Sequence, residues 1–302
     1  MFMATPAGHA WRADIYLLIT TFLAGLGWIF SKEVVTGLPP LLFLGIRFFL
    51  GGLLLLPFAW PAVQQLKWNE FKIILRVGLL FAVGMMLWMW GLAHAQHLGV
   101  GAFLNTLAIV LVPLIAMAYG ERPSVLVWLA LPLAALGMAF LFLESHFALG
   151  IGEIAFLISA IIFALNFTLN SQAAYRLPAL ALTAIQLMIV GVVGIIVSAF
   201  VETWNFQQPP SLWGWLALSI LVSTSGRFLL QTKGQALAPA SHAILIMTLE
   251  PVWVAIMAAI WFGETMSPLQ LMGCVLIFAA VLVSRWKFIW QLMATDKRDN
   301  SI

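Results

Sequence analysis

The sequence predicts an all-α polytopic membrane protein, ten transmembrane helices arranged as two inverted five-helix repeats with both termini in the cytoplasm. Composition, the gaps between charges and the distribution of Lys and Arg all lead there. Of 302 residues 63% are hydrophobic and 8% charged, whereas a soluble domain typically carries ~25% charged residues to cover its exterior. The lipid bilayer is therefore the expected solvent. A formal charge of +3, with the bases at the edges of apolar runs, does not describe a nucleic-acid surface. Cys274 is the single cysteine, so no internal disulfide and no cysteine metal site is expected.

A membrane helix needs roughly 20 mostly apolar residues. The gaps between charges yield spans at 14–31, 39–60, 70–91, 100–119, 125–143, 151–171, 179–200, 211–232, 241–261 and 267–287. Turn formers punctuate them, as in Leu38-Pro39-Pro40, Glu121-Arg122-Pro123, Arg176-Leu177-Pro178 and Gln208-Pro209-Pro210. The uncharged stretch from Val77 to Gly120 is too long for one helix, and Ala93 to Gly99 reads as a short loop dividing it. A β-barrel would alternate apolar and polar residues along each strand, but the run from Leu41 to Trp60 is apolar on every side. No small-residue cleavage site follows a short apolar core in the first 13 residues, so the first span is expected to be retained.

Cytoplasmic loops carry the excess of Lys and Arg. Arg12, Lys67, Lys72, Arg76, Arg122, Arg176, Lys233, Arg285, Lys287, Lys297 and Arg298 fall on the N-terminal side, and only Lys32 opposite. Glu33, Glu144, Glu153, Glu202 and Glu264 then face outward. Sliding the chain on itself gives two offsets. A shift of 139 places Leu38-Pro39, Phe43, Arg47 and Gly52 on Leu177-Pro178, Leu182, Gln186 and Gly191, and Trp28 on Phe167. A shift of 143 places Gly91, Ala95 and Gly120-Glu121 on Gly234, Ala238 and Gly263-Glu264. The expected organisation is a cytoplasmic segment 1–13, repeats at 14–144 and 150–287, and a cytoplasmic tail 288–302. Five is odd, so the second repeat enters the membrane upside down. Inverted repeats of this sort place a substrate site near mid-membrane between halves that rock alternately.

Leu249-Glu250-Pro251-Val252 in the ninth span, Gly263-Glu264 before the tenth and the five-plus-five arrangement resemble the EamA branch of the drug/metabolite transporter superfamily, over residues 13–288. Gly101-Ala102-Phe103-Leu104-Asn105-Thr106-Leu107, Val112-Pro113-Leu114 and Gly120-Glu121-Arg122-Pro123 are similar to the bacterial aromatic amino acid exporters called YddG. The resemblance implies inner-membrane export of amino acids, aromatic ones foremost, through a cavity lined by the first four helices of each half, with the fifth peripheral. It implies no cofactor and no enzymatic activity.

Charges inside spans cost at least ~2.5–3.5 kcal/mol and are functional candidates by default. Arg227 and Glu250 fall at similar depth on antiparallel neighbours, so they form either an intramembrane pair that recognises a zwitterion or, separately, a snorkelling arginine and a brace for the backbone beside Pro251. Arg47 is expected to snorkel to the outer headgroups, with a substrate or gate role as the alternative. Asn166 and Asn170 share a face of the sixth span, and Thr224, Arg227 and Gln231 a face of the eighth. His242, Ile246, Glu250 and Trp253 form a stripe on the ninth. These faces line a cavity or bond neighbouring helices. Trp88 and Trp90 either stack on cargo or pack in lipid. His94, His97 and His242 are expected in solvated loops or at a span start. The candidate lining is thus Asn166, Asn170, Arg227, Gln231, Glu250, Trp253, Trp88 and Trp90, and the expected partners are an amino acid and the bilayer, with monomer and homodimer both open. Export of other metabolites or toxic cations, and a passive channel, are the competing functions. An intramembrane transferase would need clustered acids, and no Asp falls within a span interior.

Overall fold

The computed structural model describes residues 7–95, 103–142, 150–263 and 266–286, with side chains from Trp11 onward. The chain forms ten helices: α1 Ala7–Val34, α2 Pro40–Val63, α3 Trp68–His94, α4 Phe103–Ala118, α5 Val125–Phe142, α6 Ile151–Arg176, α7 Ala179–Val201, α8 Pro210–Leu237, α9 Ala240–Phe262 and α10 Pro268–Ser284. Each overlaps the span expected from the charge gaps, with ends that differ by a few residues. Eight are long and apolar enough to cross a membrane, and α4 and α10 are shorter. The proposed outer loop at 93–99 lies mostly outside the described residues, as do Glu144 and Glu264.

Proline sets several helix starts, because its fixed φ suits the first turn and its missing N–H is no loss there. Pro40, Pro210 and Pro268 occupy such positions, and Ser267 with Gln270 closes a capping box on α10. Gly120 and Gly263, paired by the shift of 143, carry the positive φ angles of the described chain, 88° and 67°. Gly263 caps α9 in the left-handed region, where a Cβ would be strained.

The packing reveals the internal symmetry. Helix α2 packs along α7, α5 along α10, α3 along α6 and α1 along α8, a set that maps onto itself when each helix is exchanged with the one five later. The close approaches repeat residue by residue. A Cβ on Gly52 would meet Met188, and one on Gly191 would meet Phe49; the shift of 139 exchanges these two contacts. Gly91 meets Gly152 and Phe156, and Gly234 meets Ala13 and Leu17, exchanged by 143 on one partner and 139 on the other. Gly137 lies against Gly273 and Ile277, and Gly273 against Gly137 and Leu141. That pair requires a third shift, 136, which the sequence alone did not disclose.

The beginning of α1 and the end of α10 come together. Asp14 forms an ion pair with Arg285 and a hydrogen bond with His242 Nε2, the latter at 3.1 Å. Head and tail of the helical body therefore share one face, the one rich in Lys and Arg. Asp14 lies at the edge of the Trp11–Val34 span, and His242, at the start of α9, is half-buried against it rather than loop-solvated. On the same face Glu121, buried at the end of α4, accepts hydrogen bonds from the Ala240 and Ser241 N–H groups at 3.0 Å and from the Ser241 hydroxyl. Glu202 caps α2 from the other face, through the Leu41 and Leu42 N–H groups at 2.9 and 2.8 Å. These carboxylates satisfy the orphan donors at helix starts and tie one half to the other.

Candidate functional site

Two helices lose their regular ladder on either side of one ion pair, Arg227 with Glu250. In α8 the segment Ser219–Gly226 is π-helical. Its sequence, Ser-Ile-Leu-Val-Ser-Thr-Ser-Gly, supplies hydroxyls that compete for backbone carbonyls: Ser219 Oγ donates to Leu216 O at 2.8 Å and Ser223 Oγ to Ser219 O at 3.0 Å. Regular helix resumes at Arg227. In α9 the helix stops at Met247 and restarts at Glu250, because Pro251 has no N–H to offer the Met247 carbonyl. Such π turns and broken helices are frequent at functional sites. Helix α4 has the same interruption at Leu107, which the shift of 143 places on Glu250.

Arg227 Nη2 lies 2.9 Å from Glu250 Oε2. Their side chains are 20% and 23% exposed, so the pair is sheltered yet open to a ligand. Trp28 Nε1 donates to Glu250 Oε1 at 3.5 Å, a marginal hydrogen bond. The Glu250 carboxylate also sits at the positive end of the second half of α9, a placement worth about 0.3–1 kcal/mol.

Arg47 does not snorkel. Its guanidinium turns inward between α1 and α8, Nε donating to Thr224 Oγ1 at 3.0 Å and Nη1 to Ser31 Oγ at 2.9 Å. Thr224 is three residues before Arg227 on α8, so the two guanidinium groups hang from the same stretch of that helix. The rings of Phe43 and Phe48 lie 5.2 and 5.5 Å from it, and Arg227 covers Phe228 at 4.9 Å. Phe48, Phe81 and Phe228 pack mutually at 5.4–5.9 Å, with Phe163 6.1 Å from Phe81. Four helices thus contribute to an aromatic cluster beside the charges.

The remaining candidates divide. Gln231 is one turn below Arg227, its Oε1 buried without a partner. Trp88 meets the edge of Trp28 at 6.4 Å. Trp253 donates to Thr21 Oγ1 at 3.2 Å and packs edge-on to Phe22, joining α9 to α1 on the same side of the molecule. The two amides of α6 are turned to its neighbours: Asn166 Nδ2 donates to Val77 O at 2.8 Å and Asn170 Nδ2 to Gln235 Oε1 at 2.5 Å. Trp90, 44% exposed, stacks on His94 at 4.4 Å on the outer surface and is not with the pair. His97 lies outside the described residues. Trp28 and Ser31 were not among the sequence candidates, and an inward Arg47 was only the alternative to snorkelling. The signal available for them was the hydroxyl-rich run 219–226, which marks the place where a polar neighbour would find partners.

The profile of the EamA-like transporter family matches twice, at residues 11–143 and 150–286. The chain belongs to the EamA-like transporter family. It is accordingly a multi-pass membrane transporter of the drug/metabolite transporter superfamily and not an enzyme. Among EamA relatives, the uncharacterised transporter YvbV of Bacillus subtilis (strain 168) is 27% identical over 290 residues, covering 91% of this chain and 92% of its own. The uncharacterised inner membrane transporter YedA of Escherichia coli (strain K12) is 25% identical, covering 83% and 84% respectively. A protein solved by crystallography superposes with a TM-score of 0.78 over 90% of this chain and 96% of its own, at 16% identity, a likeness of fold. As an EamA protein the chain places its irregular backbone and its ion pair between the two matched halves.

Proposed function

We propose that this EamA protein exports small zwitterionic metabolites, aromatic amino acids foremost, across the inner membrane by alternating access of its two inverted repeats, residues 14–144 and 150–287. The observation that carries the reading is the Arg227–Glu250 pair at 2.9 Å, which joins the end of the π turn of α8 to the restart of α9. A guanidinium and a carboxylate side by side complement the carboxylate and ammonium of an amino acid. The phenylalanine cluster alongside offers an apolar surface for its side chain. The YddG-like stretch at 101–107 favours aromatic cargo, and the inner-membrane description of YedA favours that location. Efflux of labelled phenylalanine and tryptophan, against a cationic dye, from loaded vesicles tests the reading. Saturable amino-acid efflux with counter-transport is expected, and movement of the dye alone would refute it.

A further inference from the structure

We propose that Arg47 is the anchor for the cargo carboxylate and makes the site selective for anions and zwitterions over amines; this rests on the transport reading above and names the group that recognises the substrate.

Charge leads to it first. Two guanidinium groups and one carboxylate are gathered between α1, α2, α8 and α9: Arg47 bonds Thr224, three residues before Arg227, and Ser31, three residues after the Trp28 that bonds Glu250, while Glu250 pairs with Arg227 at 2.9 Å. Among the described residues Arg47 has no carboxylate in ion-pair range. Its partners are two hydroxyls, Thr224 and Ser31, and the faces of Phe43 and Phe48. A cation held within a membrane span without a counter-ion is costly, so the site carries one unbalanced positive charge for an anion to neutralise. The cargo is what enters this hollow, and a carboxylate is the part of it that fits.

Geometry agrees. The protein engages the Nε and Nη1 donors and leaves the Nη2 side of the fork for a ligand. Thr224 is one turn before Arg227 on α8, so a carboxylate on Arg47 comes within reach of the second guanidinium. Glu250, Trp28 and the phenylalanines remain for the ammonium and the side chain. Ser31 Oγ donates onward to Gly27 O at 2.5 Å, which fixes the hydroxyl so that its lone pairs face Arg47. The two hydroxyls hold the guanidinium in place, a positioning role distinct from binding. The repeat partner of Arg47 is neutral Gln186, so only one side of the pseudo-symmetric hollow carries the anchor, and the cargo has one orientation.

The test uses the full chain purified into liposomes, with L-phenylalanine, L-alanine, 3-phenylpropionate and phenethylamine as probes. In the wild type 3-phenylpropionate competes with phenylalanine and phenethylamine does not. Arg47→Gln lowers phenylalanine transport at least tenfold and abolishes that competition, and Arg47→Lys keeps part of both, since an ammonium supplies the charge without the fork. Should the Arg47 variants fail to yield monodisperse protein, Ser31→Ala serves: KM for carboxylates rises while kcat is retained. Unchanged phenylalanine transport in a folded Arg47→Gln, or competition by phenethylamine equal to that of 3-phenylpropionate, overturns the proposal. Alanine moved in an Arg47-dependent way with no aromatic cargo moved leaves the anchor standing and removes the aromatic reading. No carboxylate moved at all overturns both.

Discussion

Breaking the Arg227–Glu250 pair separates a binding element from a brace. Two unit charges about 4 Å apart attract by ~4 kcal/mol at an effective dielectric constant of 20. Desolvation opposes this, and exposures of 20% and 23% place the pair between fully buried pairs, where loss of one partner costs about 3–5 kcal/mol, and surface pairs, worth about 0–1. Arg227→Met and Glu250→Gln are each expected to destabilise by about 2 kcal/mol, and the double variant by about 1–2 kcal/mol less than their sum, because it leaves no orphaned charge. The assay is SDS-induced unfolding in mixed micelles for wild type, both singles and the double, with phenylalanine efflux measured in parallel at matched expression. A cargo-binding pair predicts that the double variant regains stability without regaining transport. Single effects that add to within ~0.3–0.5 kcal/mol would show no coupling and refute the energetic reasoning. Recovery of transport in the double would refute the binding role and leave a brace.

Gly191→Ala is expected to destabilise by about 1–3 kcal/mol, since the new methyl would fall on the Phe49 backbone, which cannot give as a side-chain end can. Gly214→Ala, with nothing within 4 Å of its Cβ, serves as control and is expected to stabilise by about 0.4–1 kcal/mol; equal shifts in unfolding midpoint would contradict the packing argument. Glu121→Gln keeps one acceptor oxygen for three donors and turns an NH2 toward them, so a loss of about 1–3 kcal/mol is expected, read as a lower thermal midpoint at unchanged helicity. Asp14→Asn removes the carboxylate shared by His242 and Arg285. Cysteine labelling at the start of α9 should then become faster, and an unchanged rate would show that Asp14 does not hold these ends together.

Much of the fold was legible because the physics behind it is coarse. A bilayer demands long uncharged runs, and prolines and charges mark where they stop, so the ten helices follow from spacing alone. The Arg227–Glu250 pair was legible for a similar reason: two charges at comparable depth on antiparallel neighbours have few other places to go. Arg47 was misread because depth does not give azimuth. Seven residues from Pro40 is close enough to the headgroups for snorkelling, and only the packed α1 and α8, with Ser31 and Thr224 waiting, turn the side chain inward. The π turn left its trace only as a run of Ser and Thr, residues that serve regular helices as readily. Asn166 and Asn170 do share a face, but that face is covered by α3 and α8, and helical periodicity cannot say which side of a membrane helix meets protein.

The two halves share a backbone plan and differ in chemistry and in closure. By the two shifts, Arg227, Glu250 and Arg47 fall on Gly84, Leu107 and Gln186, so every charge at the centre has a neutral counterpart across the pseudo-axis. A symmetric molecule would pack α6 against α8 and α1 against α3 alike. Here α6 packs along α8, joined near the basic face by Asn170 and Gln235, whereas among the described residues α1 and α3 are brought together by little more than the Trp28–Trp88 ring edge. Among the described residues the two halves are therefore joined more closely at the α6–α8 seam than between α1 and α3. That seam is not fully satisfied: Asn170 Oδ1, Ser171 Oγ, Gln231 Oε1 and Gln235 Nε2 are buried without hydrogen-bond partners. Each such group costs about 1–3 kcal/mol relative to its hydrated state, a debt that opening of the seam to water would relieve. Under the alternating-access reading proposed above, that cost favours opening of the seam, and a cargo of ordinary affinity would then decide between the two states.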